Sequence, residues 1–234
     1  MPEDRSVFRH PTPEPDQILT YGDDPDQVID FYEGDPQAPI VVLVHGGYWS
    51  VQHDRIHVRP LAKVLTDAGY NVGLIEYRRV PGSPSVYLED VVAASALLSS
   101  AAPIVLVGHS AGGHLALLAA REIDAPVLAL APIADLADAI AQNADDGAVP
   151  VFLGTADPSA FDPMQFNTLA PCVLIHGTED TLVPVEQSRT YVATHANARL
   201  IEVPGIAHFE LIDPFHDTYL VLRDALAALS TTIE

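Results

Sequence analysis

The stretch that most constrains this chain is the apolar run Ile104 to Val107, followed by the pentapeptide Gly-His-Ser-Ala-Gly. The run is rich in β-branched residues, which is typical of a strand buried on both faces. Leu115 to Ala120 are good helix formers and predict a helix after the pentapeptide. A G-x-S-x-G pattern between a strand and a helix predicts a sharp turn that projects Ser110 above the sheet.

The residues around this turn separate it from other glycine-rich loops. Gly108 and Gly112 fit a tight turn, because a Cβ at either position would crowd it. Ser110 is expected at the start of the helix, where free N–H groups favour developing negative charge. A phosphate-binding loop is excluded, because His114 and Leu115 stand where it needs Lys and Ser or Thr. A simple glycine-rich turn remains the structural alternative.

The rest of the chain alternates apolar strands with helical segments. Strands are predicted at residues 27–32, 40–44, 71–77, 126–131, 172–176 and 199–203. Helices are predicted at residues 59–68, 85–99, 185–195 and 215–229. This alternation predicts an α/β fold, with a mostly parallel central sheet and helices on both faces. The first strand is expected to be an antiparallel edge strand.

We expect a single domain over residues 1–234, because this length and 48% hydrophobic residues suffice for one large core. Residues 1–26 are rich in Pro and Asp and predict an arm on the surface or over the site entrance. Residues 133–167 contain short helical pieces with breaks at 145–147 and 157–158, which predict a small cap or lid insertion.

The composition of the chain limits the binding partners and the cellular compartment that we expect. A formal charge of −21 argues against nucleic acid and anionic membranes as partners. We expect no signal peptide and no membrane span, and hence a cytoplasmic protein. The single cysteine, Cys172, lies in an apolar run and is predicted to be a buried thiol rather than a nucleophile. The expected partner is a small-molecule ester or amide, and a homodimer is left open.

A serine hydroxyl needs a base to remove its proton and an acid to orient that base. Asp180 ends a Gly-Thr-Glu-Asp turn after a predicted strand, and His208 follows the last predicted strand. Open α/β sheets hold their sites at these carboxyl ends of strands. Ser110, Asp180 and His208 are therefore the predicted nucleophile, acid and base. Glu179 and Asp157 are alternative candidates for the acid. In the structural alternatives, Asp180 merely caps a helix and His208 is a surface loop histidine.

A tetrahedral intermediate also needs preorganised N–H donors. Ala111 follows the nucleophile and is one predicted donor. Further donors are expected from the loop after the strand at 40–44, where Gly46 and Gly47 allow close approach of the backbone. His45 is interpreted as a brace for this loop.

Taken together, these motifs resemble the α/β-hydrolase superfamily along nearly the whole chain. The loop His45 to Trp49, His-Gly-Gly-Tyr-Trp, is similar to the His-Gly-Gly-x-Trp loop of kynurenine formamidases (arylformamidases). Hormone-sensitive-lipase-like esterases carry a third Gly where Tyr48 stands. The resemblance implies Gly47, Tyr48 and Ala111 as oxyanion donors and a serine hydrolase that needs no cofactor.

Several nearby residues have two interpretations. Tyr48 and Trp49 are predicted to form an aromatic wall for the substrate, with His109 as a further contact, although Trp49 also suits packing against the core. Arg78 and Arg79 suit either ion pairs or binding of a substrate carboxylate.

The stretch His53 to His57 places two histidines at i and i+4, as zinc-binding helices do. Asp replaces the usual Glu and no third ligand is evident, so no metal site is predicted. The leading hypothesis is arylformamidase-like hydrolysis of a small ester or N-formyl aryl amide, and general short-chain carboxylesterase activity is second. Perhydrolysis by the same residues and a non-catalytic ligand receptor on this fold are the other hypotheses.

Overall fold

A single sheet of eight strands organises residues 3–143 and 147–232, the residues that the computed structural model describes. The strands lie in the order β1-β2-β4-β3-β5-β6-β7-β8. Their bounds are β1 Gln17–Thr20, β2 Val28–Tyr32, β3 Ile40–Val44, β4 Asn71–Ile75, β5 Ile104–His109, β6 Val127–Leu130, β7 Cys172–Gly177 and β8 Ala198–Val203. Neighbouring strands from β4 to β8 in this order pair in parallel. Strand β2 runs antiparallel to both of its neighbours, β1 and β4. The predicted mostly parallel sheet is confirmed.

Helices cover both faces of the sheet. They are α1 Arg59–Asp67, α2 Pro84–Ser99, α3 Ala111–Ile123, α4 Leu136–Ala141, α5 Ala148–Leu153, α6 Val185–Thr194 and α7 Thr218–Ser230. None of them is long and apolar enough to cross a membrane. The helix after the pentapeptide begins at Ala111, directly after Ser110, so Ser110 lies at the start of the helix as predicted.

Strand β3 explains why helices are needed on both sides. Successive side chains of a strand point to opposite faces. Val42 and Val44 enter the core under α2 and α3, whereas Val41 and Leu43 enter the core under α1 and α7. The run of five buried residues is therefore the signature of a strand covered twice.

The N-terminal region differs from the prediction. Strand β2 lies between β1 and β4, so the predicted edge strand is internal and β1 forms the edge. Strand β1 escaped prediction because it is short, lies in the Pro-rich arm and is mostly exposed, which leaves no alternating pattern.

The rest of the arm packs on the body of the protein. Val7 is buried in a short 3-10 helix, Ser6–Arg9. Further along, the hydroxyl of Tyr32 donates to the Pro13 carbonyl at 2.8 Å, and Glu14 forms an ion pair with Arg59 at 2.9 Å. These contacts hold the arm against β2 and α1.

Between β6 and β7 lie α4, α5 and two 3-10 helices, Pro158–Phe161 and Pro163–Gln165. This is the region predicted as a cap. Phe152 of α5 is buried in the hydrophobic core that α5 shares with the sheet. Residues 144–146, which include part of one predicted break, lie outside the described residues.

Candidate active site

The turn between β5 and α3 holds Ser110 in a backbone conformation that few side chains adopt. Ser110 has φ 55° and ψ −121°, and a non-glycine residue at positive φ is strained unless the surrounding structure fixes it. A Cβ at Gly108 would lie 2.3 Å from the Gly112 carbonyl oxygen, and one at Gly112 would lie 2.3 Å from the Val44 carbonyl oxygen. Close packing therefore requires both glycines, as the pentapeptide predicts.

Backbone hydrogen bonds fix this turn to its neighbours. The Ser110 N–H donates to the Leu130 carbonyl of β6 at 2.9 Å, and the Ser110 carbonyl accepts from the His114 N–H at 3.0 Å. The side chain of Ser110 thus stands at the N-terminus of α3. The dipole at this end of a helix stabilises negative charge.

Asp180 and His208 meet at the carboxyl ends of β7 and β8. The His208 Nδ1–H donates to Asp180 Oδ2 at 2.7 Å, and both side chains are buried. Asp180 Oδ1 accepts from the N–H groups of Leu182 at 2.9 Å and Val183 at 2.8 Å. Because Nδ1 carries a proton, Nε2 of His208 is the ring nitrogen that can accept one from a hydroxyl.

His176 is a further partner of Asp180 that sequence reasoning missed. Its Nε2 lies 2.8 Å from the Val183 carbonyl and 3.3 Å from Asp180 Oδ2, while its Nδ1 lies 2.7 Å from the Ser188 hydroxyl. Burial acts to raise the pKa of Asp180, but hydrogen bonds from His176, His208 and the Val183 N–H outweigh it and hold that pKa well below its usual range. Asp180 is therefore a carboxylate that faces His208.

Two adjoining cavities lie at these residues. Ser110 and His208 both line a small cavity of about 20 Å³, which has room for about one water molecule. A larger, open cavity of about 840 Å³ shares Arg5, Tyr48 and His53 with it. The larger cavity has the size of a small-molecule site, and a molecule bound there would contact residues that also line the cavity of Ser110.

The loop after β3 approaches Ser110 in an unusual backbone conformation. Gly47, Tyr48 and Trp49 all have positive φ, at 114°, 57° and 54°. Within the described part of the chain, neither the Gly47 N–H nor the Ala111 N–H donates a hydrogen bond. These two N–H groups could therefore donate to a bound oxyanion, and their role as oxyanion donors stays a prediction.

His45 braces this loop, in agreement with its predicted role. Its Nε2 lies 2.9 Å from Glu76 Oε1, and its ring stacks on Tyr77 at 4.4 Å. Burial acts to raise the pKa of Glu76, but the charges of His45 and Arg79 and the Arg55 N–H lower it to about 2. A buried carboxylate thus fixes the base of the loop.

The three predicted substrate contacts occupy different positions. Tyr48 lines both cavities. Trp49 is 3% exposed, stacks on Phe152 at 4.5 Å and forms part of the wall of the larger cavity. His109 is buried, and its Nε2 donates to the His208 carbonyl at 3.2 Å. Burial, and then the charge of His208, lower the pKa of His109 well below its usual range. Contact of these residues with a substrate stays a prediction.

The alternative acids and the two neighbouring arginines are exposed or contact residues other than His208. Glu179 is exposed, and Asp157 caps the 3-10 helix Pro158–Phe161. Arg78 pairs with Asp90 at 2.6 Å. Arg79 pairs with both Asp26 and Glu76. The ion-pair interpretation of Arg78 and Arg79 is the one that their contacts support.

No group of three or more His, Cys, Asp or Glu side chains is arranged to hold a metal ion in the described part of the chain. His53 and His57 pack around the Phe8 ring, with centroid distances of 6.4 Å and 5.2 Å. Burial, followed by the charge of His45, lowers the pKa of His57 to about 3. Cys172 is buried, as predicted, and burial raises the pKa of its thiol to about 12.

Sequence reasoning also missed three residues of the arm. Glu3 accepts hydrogen bonds from His208 and Thr181, and Arg5 and Phe8 line the cavity that contains Ser110. The sequence carries no signal for these contacts, because the Pro-rich arm has no periodicity and its partners lie far along the chain.

Comparisons with known proteins agree with this architecture. The family model BD-FAE matches residues 29–129. Esterase LipC of Mycobacterium tuberculosis is 28% identical over 83% of this chain and 60% of its own length. This chain therefore spans about three fifths of that relative.

Two solved structures share the fold. The chain superposes on esterase B from Lactobacillus rhamnosis with a TM-score of 0.77 and 21% identity, which covers 97% of this chain and 91% of the other. It superposes on EstE7, a hormone-sensitive-lipase homologue from a metagenome library, with a TM-score of 0.77 and 20% identity over 97% of this chain and 90% of the other. With this order of strands and these structural similarities, the chain has the α/β-hydrolase fold.

Proposed function

We propose that this protein is a serine hydrolase of small carboxylic esters, with Ser110 as nucleophile, His208 as base and Asp180 as orienting acid. The observation that carries the proposal is the 2.7 Å hydrogen bond between Asp180 and His208, with His208 and the strained Ser110 lining one cavity. The names of two similar proteins, esterase LipC and esterase B, support the same class of reaction.

Acylation would follow from this arrangement. The Ser110 Oγ attacks the ester carbonyl carbon while its proton passes to His208 Nε2. The carbonyl π electrons move onto oxygen, and the N–H groups of Gly47, Tyr48 and Ala111 stabilise the resulting oxyanion. When the intermediate collapses, the C–O bond to the alcohol breaks and His208 returns the proton to the leaving oxygen.

Deacylation repeats these steps with water. His208 Nε2 takes a proton from a water molecule, whose oxygen attacks the acyl carbon, and Ser110 leaves with the proton that His208 returns. Asp180 holds the ring in the tautomer with a proton on Nδ1 and stabilises the imidazolium that forms in each half. The low pKa of Asp180 supports this role, because the carboxylate is ionised at neutral pH.

Hydrolysis of 4-nitrophenyl esters from acetate to octanoate tests the proposal. We expect activity on the shorter esters and a loss of more than about 1,000-fold in kcat for Ser110→Ala. Ser95→Ala is a matched control, since Ser95 is a buried serine on α2 that lines neither cavity. Wild-type rates in Ser110→Ala, or equal losses in both variants, would refute the proposal.

Hydrolysis of an N-formyl aryl amide is the second candidate. It is supported by the loop His45 to Trp49 and by the aromatic rings of Tyr48, Trp49 and Phe152 in the wall of the larger cavity. Formate release from N-formylkynurenine, compared with hydrolysis of 4-nitrophenyl acetate, separates the two. A higher kcat/KM for the formyl amide selects the arylformamidase, and a lower one selects the general carboxylesterase.

A further inference from the structure

Arg5 stands where the two cavities meet. It lines the small cavity with Ser110 and also the larger open cavity. Its guanidinium carbon lies 5.4 Å from the centre of the Phe209 ring, next in sequence to His208. The side chain is exposed, so a molecule in the larger cavity can reach the guanidinium.

Arg5 differs from most basic residues of this chain because it has no carboxylate partner among the residues that the structure describes. Eight of the 11 Lys and Arg residues form ion pairs: Arg55, Arg59, Lys63, Arg78, Arg79, Arg121, Arg189 and Arg223. The chain has 32 Asp and Glu residues to supply such partners. Among the described residues, Arg5 forms no ion pair, and the same holds for Arg9 and Arg199, which line neither cavity.

The described residues that line the two cavities also lack carboxylates. Apart from histidines, Arg5 is the one charged side chain among the described lining residues, and none of those residues carries a carboxylate. Among the described lining residues, the guanidinium of Arg5 is therefore the permanent charge that a bound molecule meets, whereas the nearby carboxylates of Glu3 and Asp180 are held by hydrogen bonds to Thr181 and His208. A positively charged lining residue favours an anionic ligand.

The arm holds Arg5 at this place from both sides. Glu3 accepts hydrogen bonds from Thr181 and His208. On the other side, Val7 is buried, and the Phe8 ring packs on Phe209 at a centroid distance of 5.1 Å. Arg5 thus sits between two fixed contacts rather than on a free end.

We propose that Arg5 is a specificity-determining residue that binds a carboxylate on the substrate, so that the preferred substrates are esters with an additional carboxylate group. This inference rests on the proposed esterase function. An arginine can donate two parallel N–H bonds to a carboxylate. The preference is then for the anionic member of a matched pair of esters, whichever side of the ester bond carries the charge.

Two matched pairs of esters test the proposal. The 4-nitrophenyl monoester of adipic acid is compared with 4-nitrophenyl hexanoate, and 3-acetoxybenzoate is compared with 3-acetoxybenzamide. The readout is the anionic-to-neutral ratio of kcat/KM within each pair. In Arg5→Gln we expect this ratio to fall by about threefold to tenfold for at least one pair, as for a partly exposed charge-assisted hydrogen bond.

Arg9→Gln is the matched control, because it removes the same charge from the same arm outside the cavity lining. We expect it to leave both ratios unchanged. Ratios unchanged in Arg5→Gln, or lowered equally in both variants, overturn the carboxylate site. If hydrolysis also persists in Ser110→Ala, the esterase proposal fails as well. Ser110-dependent hydrolysis with unchanged ratios overturns the Arg5 assignment alone.

Discussion

Glu3 Oε2 accepts a hydrogen bond from the backbone N–H of His208 at 2.9 Å, although the two residues are 205 positions apart. The other oxygen of Glu3 accepts from the Thr181 N–H at 2.9 Å and from the Thr181 hydroxyl at 2.6 Å. Thr181 follows the proposed acid, and His208 is the proposed base. One carboxylate of the arm therefore joins the two loops that carry Asp180 and His208.

This relationship predicts that Glu3→Gln lowers kcat. The amide presents an N–H₂ group to one of the two backbone donors, so one loop loses its partner and the base is held less accurately. We expect a loss of about threefold to thirtyfold in kcat, since small displacements of catalytic groups are costly.

Asp4→Asn is the control for Glu3→Gln. Asp4 is an exposed carboxylate on the same arm, and it accepts a hydrogen bond from the nearby Ser6 N–H. Steady-state kinetics of the two variants decide the matter, and equal kcat values in both would show that Glu3 does not position His208.

A second prediction concerns the loop after β3. Gly47 has φ 114°, and an added Cβ would lie 2.3 Å from the His53 Cβ. Gly47→Ala is therefore expected to displace the loop and to lower kcat/KM for ester hydrolysis by more than tenfold, because it moves a proposed oxyanion donor.

Gly69→Ala separates backbone strain from this displacement. Gly69 has φ 104°, but an added Cβ meets nothing within 4 Å. Both variants are expected to lose about 1–2 kcal/mol of unfolding free energy from the left-handed conformation alone, and only Gly47→Ala is expected to lose activity beyond that. A matching loss of kcat/KM in Gly69→Ala would contradict the interpretation.

A third prediction concerns the buried carboxylate of Glu76. Its pKa in the folded state is about 2, below the ordinary value of 4.5. A lowered pKa means that the ionised form stabilises the fold above about pH 4.5, and that this stabilisation is lost as pH falls toward 2. Glu76→Gln leaves His45, Arg55 and Arg79 without their shared counter-charge, and we expect it to lose about 2–4 kcal/mol at pH 7.

Urea unfolding between pH 7 and pH 3 checks this prediction. The difference in unfolding free energy between wild type and Glu76→Gln is expected to shrink as the pH falls below 4.5. Glu89→Gln, which changes an exposed side chain on α2, is expected to have little effect. A difference that stays constant with pH would show that the Glu76 charge does not contribute.

Much of the fold could be predicted from the sequence because its signals are local. The buried strands β3 and β5 are unbroken β-branched runs, and their covering by helices on both faces follows from that pattern. Gly108 and Gly112 mark a turn that tolerates no Cβ. The order in which Ser110, Asp180 and His208 occur is likewise visible without a structure.

The arm could not be predicted in the same way. Strand β1 is mostly exposed, and the contacts of Glu3, Arg5 and Phe8 depend on where residues near position 208 fold back. The arginines illustrate the same limit. The sequence allowed ion pairs or a substrate carboxylate for Arg78 and Arg79, and Asp90, Asp26 and Glu76 pair with them, but nothing in the sequence pointed to Arg5, which has no ion pair among the described residues and lines both cavities.

Covalent labelling with a fluorophosphonate, followed by intact-mass measurement and peptide mapping, directly tests Ser110 as the nucleophile. A nucleophilic Ser110 predicts one adduct per chain, located on the peptide that contains Ser110, no adduct on Ser110→Ala, and loss of ester hydrolysis in step with labelling. An adduct that persists in Ser110→Ala, or a wild-type protein that hydrolyses esters without being labelled, would contradict it.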